Sequence, residues 1–216
     1  MGVYAKEMFG RAVILLSGGV DSAVCLTLAR RRYDKLIALT VDHGQRNRQE
    51  LSAARQLAEW SGATHLEVPL DFRAWNGVAR ADAGSYVPAR NLVFLSIGVS
   101  VAEAADATAV YFGASASDRH FPDACADFVE SFRTTASLAT KAGRQGSSIE
   151  VRAPLLPLSK VQVISAAVRL GVPLELTRSC YAENAPCQVC GACRLRAEAF
   201  SKAGHTDPAS RPTLPG

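Results

Sequence analysis

AVILLSGGVDS, residues 12–22, decides how the rest of the chain is read. Ala12 to Leu16 is a short, nearly continuous apolar run of β type, and Val20 to Arg32 has helical spacing. Between them lies Ser17-Gly18-Gly19. Paired glycines let a backbone turn tightly and approach a ligand closely. The helix that follows offers free N–H groups and the positive end of its dipole, a natural seat for phosphate. Ser17 and Ser22 add hydroxyls. No Gly-Lys-Ser or Gly-Lys-Thr follows, so the loop is not a Walker motif, and no G-x-G-x-x-G dinucleotide fingerprint is present. The plain alternative is a Gly-Gly turn capped by Asp21.

Outward from this unit the pattern repeats. Further strands are predicted at 36–41, 64–68, 108–113 and 149–153. Helices are predicted at 48–61, 90–105, 121–142 and 159–170, with Gly62 and Gly171 as two of the stops. Asp71 to Pro88 lacks periodicity and reads as a long loop. Strands alternating with helices imply right-handed crossovers and a parallel sheet covered on both faces. The fold class is therefore α/β: an open, doubly wound parallel sheet of about five strands. Residues 1–175 form the main domain, 176–208 a cysteine-bearing segment with a helix, and 209–216 a tail expected to be mobile.

Composition narrows the function classes. The chain has 216 residues, 48% of them hydrophobic, which suits one core. Its formal charge is only +4, with Arg and Lys scattered, so no nucleic-acid stripe is evident. Arg30 to Arg32 reads as the solvated end of a helix. No signal peptide and no membrane-length apolar run is visible. A cytoplasmic location is expected, and six cysteines then point to metal or chemistry rather than disulfides.

In such a sheet, ligands bind beyond the carboxyl ends of the strands. Asp42 ends the second strand, and Arg46 can fork onto a phosphate or carboxylate. His43 reads more simply as a surface residue. Ser159 has the character of an N-cap, which puts Lys160 in a first helical turn where a cation is disfavoured unless an anion is nearby. Arg90 invites the same argument at the next apolar helix; Asn91 can cap or bind, and Tyr86 can stack on a base. Cys180, Cys187, Cys190 and Cys193 run C-x6-C-x2-C-x2-C. Four thiolates at that spacing suit a structural, tetrahedral Zn²⁺. An iron–sulfur cluster or a redox dithiol competes, although the ferredoxin-type ending is missing. Cys25 and Cys125 read as packing residues.

The SGGVDS loop resembles the pyrophosphate-binding loop of the N-type ATP pyrophosphatases, of adenine nucleotide alpha-hydrolase-like fold. That resemblance implies ATP and Mg²⁺, cleavage between the α and β phosphates, and adenylation of a substrate oxygen. The ATP site would comprise Leu16, Ser17, Gly18, Gly19, Val20, Asp21, Ser22, Asp42 and Arg46. Further stretches are similar to the 7-cyano-7-deazaguanine synthase family: DHGQR at 42–46, YVPARN at 86–91, PLLPLSK at 154–160, LT-x-SCY at 176–181, and the cysteines with Leu195 and Arg196. This implies conversion of 7-carboxy-7-deazaguanine to its nitrile with ATP, ammonia, Mg²⁺ and a structural Zn²⁺. Asp21, Arg90 and Lys160 would serve the chemistry. Tyr86, Asn91, Gly113, Asp118, Phe121 and Asp123 would meet the substrate, and a homodimer is implied. Where that family carries Asp-Tyr-Ser-Gly-Tyr-Pro-Asp-Cys, this chain has Asp118-Arg119-His120-Phe121-Pro122-Asp123-Ala124-Cys125, and Arg178 replaces a common tryptophan. Two other readings compete: a relative acting on another carboxylated deazapurine or a tRNA base, and a non-enzymatic zinc module.

Overall fold

The computed structural model describes residues 10–45, 47–72, 87–180, 182 and 187–210. Five parallel strands form one sheet in the order β3-β2-β1-β4-β5. They are β1 (Arg11–Leu15), β2 (Lys35–Asp42), β3 (Thr64–Pro69), β4 (Ala109–Tyr111) and β5 (Glu150–Arg152). The helices are α1 (Val20–Arg30), α2 (Gln49–Ser61), α3 (Arg90–Ala104), α4 (Ala126–Ala139), α5 (Lys141–Arg144), α6 (Lys160–Leu170) and α7 (Gly191–Lys202). The sheet expected from the alternating pattern is therefore present, and it is doubly wound.

Strand periodicity explains the two layers. Successive strand residues face opposite sides. Ala12, Ile14 and Leu16 enter a core shared with α1, α2, α6 and α7, through Val24, Leu57, Ile164 and Phe200. Val13 enters the opposite core, with Leu95 and Val99 of α3 and Val129 and Phe132 of α4. Both faces being dry, β1 needs apolar residues at consecutive positions, as it has from Ala12 to Leu15.

One expected element is corrected. The predicted helix over 121–142 is broken: single 3-10 turns occupy Ala116–Asp118 and Pro122–Ala124, and α4 starts only at Ala126. Asp123 has φ −94° and ψ 22°, outside helical values, and Cys125 is extended. Pro122 has no N–H for a helical ladder, so this stretch turns instead. α6 does begin at its expected cap. The Ser159 hydroxyl accepts from the Gln162 N–H, and the Gln162 side chain returns to the Ser159 N–H at 2.8 Å. Such a reciprocal cap contributes about 1 kcal/mol. Its effect here is to fix where Lys160 projects.

Candidate active site

The strand order reverses at β1, whose neighbours are β2 and β4. Loops leaving adjacent strands at such a point diverge and open a crevice. A cavity of about 480 Å³ lies there, walled by the turn after β1, the ends of β2 and β4, and the starts of α2, α3 and α6.

The turn after β1 is tightly organised. Gly18 has φ +84°, and a Cβ there would collide with the Glu50 carbonyl oxygen, so only glycine lets α2 lie this close. Ser22 Oγ donates to the Gly19 carbonyl at 2.9 Å and accepts from the Ser17 N–H at 3.3 Å. The loop is thus preshaped by its own hydroxyls. Thr40 Oγ1 donates to the Leu16 carbonyl at 2.8 Å, tying the loop's start to β2. At the end of β4, Gly113 packs on the start of α1, and a Cβ would sit 3.2 Å from the Asp21 carbonyl carbon and the Ser22 nitrogen. Gly113 therefore lines the cavity through close backbone approach.

Lys160 Nζ pairs with Asp21 Oδ2, closing α6 onto α1. This pair supplies the anion that a first-turn lysine requires. Asp21 Oδ1 is buried and has no hydrogen-bond partner among the described residues. A buried carboxylate oxygen without a partner is costly. It is the oxygen here with coordination capacity to spare, and a hard divalent cation suits it.

The other expected site residues fall into two groups. Leu16, Ser17, Gly19, Val20, Ser22, Arg90, Asn91, Asp118 and Phe121 line the cavity. Asp42 and Asp123 are occupied elsewhere. Asp42 accepts from Arg48 Nη1 at 2.6 Å and the Gly44 N–H at 3.2 Å. Its carboxyl is held below the usual range, the hydrogen bonds and charge of Arg48 outweighing desolvation. Asp123 is buried, and its Oδ2 accepts from the Asn91 N–H at 2.8 Å at the start of α3. Asp118 spends Oδ2 on the N–H and hydroxyl of Ser115, both at 2.9 Å. Cys25 is buried and Cys125 half-buried. Arg46 and Tyr86 lie outside the described residues.

Three features escaped the sequence reading. His43 is not a surface group: it packs against Phe72 and Phe94, its centroid 5.5 Å from the latter. Burial and then the Arg90 charge push it down to about 4, so it is neutral. Glu50 lines the cavity opposite Arg90, and desolvation raises it to about 7 despite that arginine. Its position in the first turn of a helix hid it, because acids are common there for the dipole alone. Third, the cysteine-bearing segment forms a wall of the cavity through Arg178, Ser179 and Leu195. Nothing local in its sequence signals this.

That segment is also tied to the glycine turn after β1. The Arg178 N–H donates to the Gly18 carbonyl at 2.9 Å, and the buried Asn47 amide donates to the Cys180 carbonyl. The four sulfurs of Cys180, Cys187, Cys190 and Cys193 lie within 4.8 Å of one another, and none is in a disulfide. Tetrahedral Zn–S bonds of about 2.3 Å place sulfurs about 3.8 Å apart, so this donor set fits zinc. The N–H groups of Ala182 and Cys187 both approach Cys180 Sγ at 3.2 Å, as a thiolate invites. Backbone N–H groups of Val189 and Cys190 pull the Cys187 thiol below its ordinary value. Desolvation pushes Cys193 up to about 12. A bound metal would resolve this disparity by holding all four as thiolates.

Comparison with known proteins agrees with this arrangement. The family described as "Queuosine biosynthesis protein QueC" matches residues 11–204. A 7-cyano-7-deazaguanine synthase of Synechococcus sp. is 42% identical, over 91% of this chain and 95% of the relative. One of Stenotrophomonas maltophilia is 43% identical, over 92% and 97% respectively. Among solved structures, the U34-tRNA thiolase NcsA of Methanococcus maripaludis, with its [4Fe-4S] cluster, superimposes with a TM-score of 0.50 at 17% identity. That likeness covers 93% of this chain and 67% of the thiolase, and it supports the fold alone. With its sheet, glycine turn and four cysteines matched from β1 through α7, this chain belongs to the QueC family of queuosine biosynthesis proteins.

Proposed function

We propose that this chain converts 7-carboxy-7-deazaguanine and ammonia to 7-cyano-7-deazaguanine at the expense of ATP. The observation that carries the reading is the near-complete alignment with synthases of that name. Supporting it, one cavity joins the glycine turn to the Asp118 and Phe121 wall.

The chemistry needs a leaving group that a carboxylate lacks, and adenylation supplies one. The N–H groups from Gly18 to Ser22 and the α1 dipole hold the polyphosphate. Lys160 and Arg90 offset charge as the α-phosphorus is attacked, and their fixed positions cost no reorganisation. When bound, Mg²⁺ would screen phosphate charge, with Asp21 Oδ1 as the oxygen available to it. His43 and Phe94 give the adenine or the deazaguanine an uncharged aromatic face. Phe121 and the free edge of Asp118 suit the other ring, and Arg46 and Tyr86 belong to the same proposed site. The amide formed first is adenylated in turn on its oxygen and leaves as the nitrile.

Zinc at the four cysteines serves folding in this scheme. Residues 1–175 carry the chemistry, 176–208 brace it, and 209–216 take no part. Free ammonia is the nitrogen source, and the enzyme works in the cytoplasm as a homodimer without an obligatory nucleic acid. Among the described residues no helix is long and apolar enough to cross a membrane.

The test is incubation of zinc-replete protein with ATP, Mg²⁺, ammonium and 7-carboxy-7-deazaguanine, followed by mass spectrometry. Nitrile with two AMP per turnover is expected. AMP formed only with a different carboxylated deazapurine, or with a tRNA base, would instead favour the altered 118–125 turn as a change of acceptor.

A further inference from the structure

We propose that Glu50 is the general base of the ammonia-dependent steps: its carboxylate takes the protons that the incoming nitrogen sheds. This rests on the reaction proposed above. Turning ammonia into a nitrile nitrogen removes all three of its N–H protons, so the site needs a base that cycles.

Glu50 sits on α2 directly against the glycine turn, its carbonyl oxygen touching Gly18, and its side chain lines the cavity. A carboxylate beside a polyphosphate seat is electrostatically misplaced unless a cation or a proton accompanies it. The other charged and titratable groups lining this cavity are Asp21, His43, Arg90, Asp118, Lys160, Arg178 and Arg196. Asp21 is paired with Lys160, and His43 is too weak a base once buried and beside Arg90. Among the described residues the Glu50 carboxylate accepts no hydrogen bond, and its raised proton affinity matches work near neutral pH.

The steps balance. The ammonia lone pair forms the C–N bond at the adenylated carbonyl carbon, the C–O bond to AMP breaks, and AMP departs with that electron pair. One N–H proton passes to Glu50. The amide oxygen then attacks the α-phosphorus of a second ATP, pyrophosphate leaves, and the nitrogen gives up its second proton. Finally the C–O bond to AMP breaks, the C≡N bond closes, and the last proton follows. Glu50 is half-buried, so it returns each proton to solvent.

The experiment compares wild type with Glu50→Gln and Glu50→Asp in three assays. These are substrate-dependent ATP–pyrophosphate exchange without ammonia, amide formation with ammonium, and hydroxamate formation with hydroxylamine, a far less basic nitrogen whose adduct loses its proton readily to water. Glu50→Gln is expected to keep exchange within about threefold and hydroxamate formation within about tenfold. Its amide formation should fall about 100-fold or more, the usual worth of a general base. The acid limb of the wild-type pH profile should vanish in Glu50→Gln and persist, displaced, in Glu50→Asp. Equal losses with ammonium and hydroxylamine overturn the proposal, as does amide formation near the wild-type rate. Loss of exchange that extra Mg²⁺ restores assigns Glu50 to the metal and also overturns it. Wild-type protein that shows no exchange with 7-carboxy-7-deazaguanine defeats the underlying reaction instead, a result read before any variant is compared.

Discussion

Two ion pairs close distant pieces of this chain, and they differ in how completely they are satisfied. Arg196 binds Asp207 through both carboxylate oxygens, at 2.7 and 2.9 Å, and gives its remaining donors to the Thr177 hydroxyl and the Leu174 carbonyl. Its ring neighbour is Phe200. Lys160 binds only one oxygen of Asp21 and leaves the other buried without a partner. A saturated network is an architectural joint, whereas a half-satisfied one waits for a ligand. The first pair holds the C-terminal segment together; the second faces the cavity.

Removing the metal tests the architectural side most severely. Structural zinc sites contribute on the order of 10 kcal/mol to folding. Chelation should unfold the segment around Arg196, release Arg178 from the Gly18 carbonyl, and weaken nucleotide binding at least about tenfold, as read by calorimetry. Undiminished ATP affinity in metal-free protein would separate the segment from the loop.

Next in size, Arg196→Met should cost about 3–5 kcal/mol, because it removes the charge partner of the largely enclosed Asp207 carboxylate and leaves the Thr177 and Leu174 acceptors without their donor. Urea unfolding of the zinc-loaded protein measures this. By contrast, Lys160→Ala should cost about 1 kcal/mol of stability or less. It should slow the adenylation step about 10²–10³-fold, in line with loss of one preorganised charge. Exchange kinetics beside a thermal melt would show whether the two pairs divide in this way; a large melt change with ordinary exchange would erase the contrast.

The smallest effect concerns Glu50 and pH. Its folded value of about 7 lies above that of an unfolded glutamate, so its contribution favours the fold below about pH 4.5 and is lost as pH rises through 7. Glu50→Gln should therefore melt a few degrees higher than wild type at pH 8 and show no such gain at pH 4.5. A gain equal at both pH values would mean that charge is not its source.

How much of this was legible depended on whether the cause was local. The β1 turn, the Ser159 cap and the cysteine spacing are each written within a dozen residues, and the structure has them where the sequence reading expected. The 121–142 stretch misled because helical composition surrounds Pro122, while the decisive event is a turn in which Asp123 caps a different helix. Glu50 and His43 take their character from burial and from Arg90, 40 or more positions away, which no spacing rule carries. Arg178 likewise matters through a single backbone bond to Gly18.

Gly18 and Gly113 have a consequence for how this enzyme can change. Each marks a wall where adding even one methyl meets backbone, at Glu50 in one case and at Asp21 and Ser22 in the other. A side chain at either glycine would therefore have to displace backbone at this end of the cavity. Variation is channelled to the far wall, from Asp118 to Cys125, where side chains rather than backbone set the shape. If the proposed reaction holds, divergence within that stretch is where a change of acceptor would be recorded.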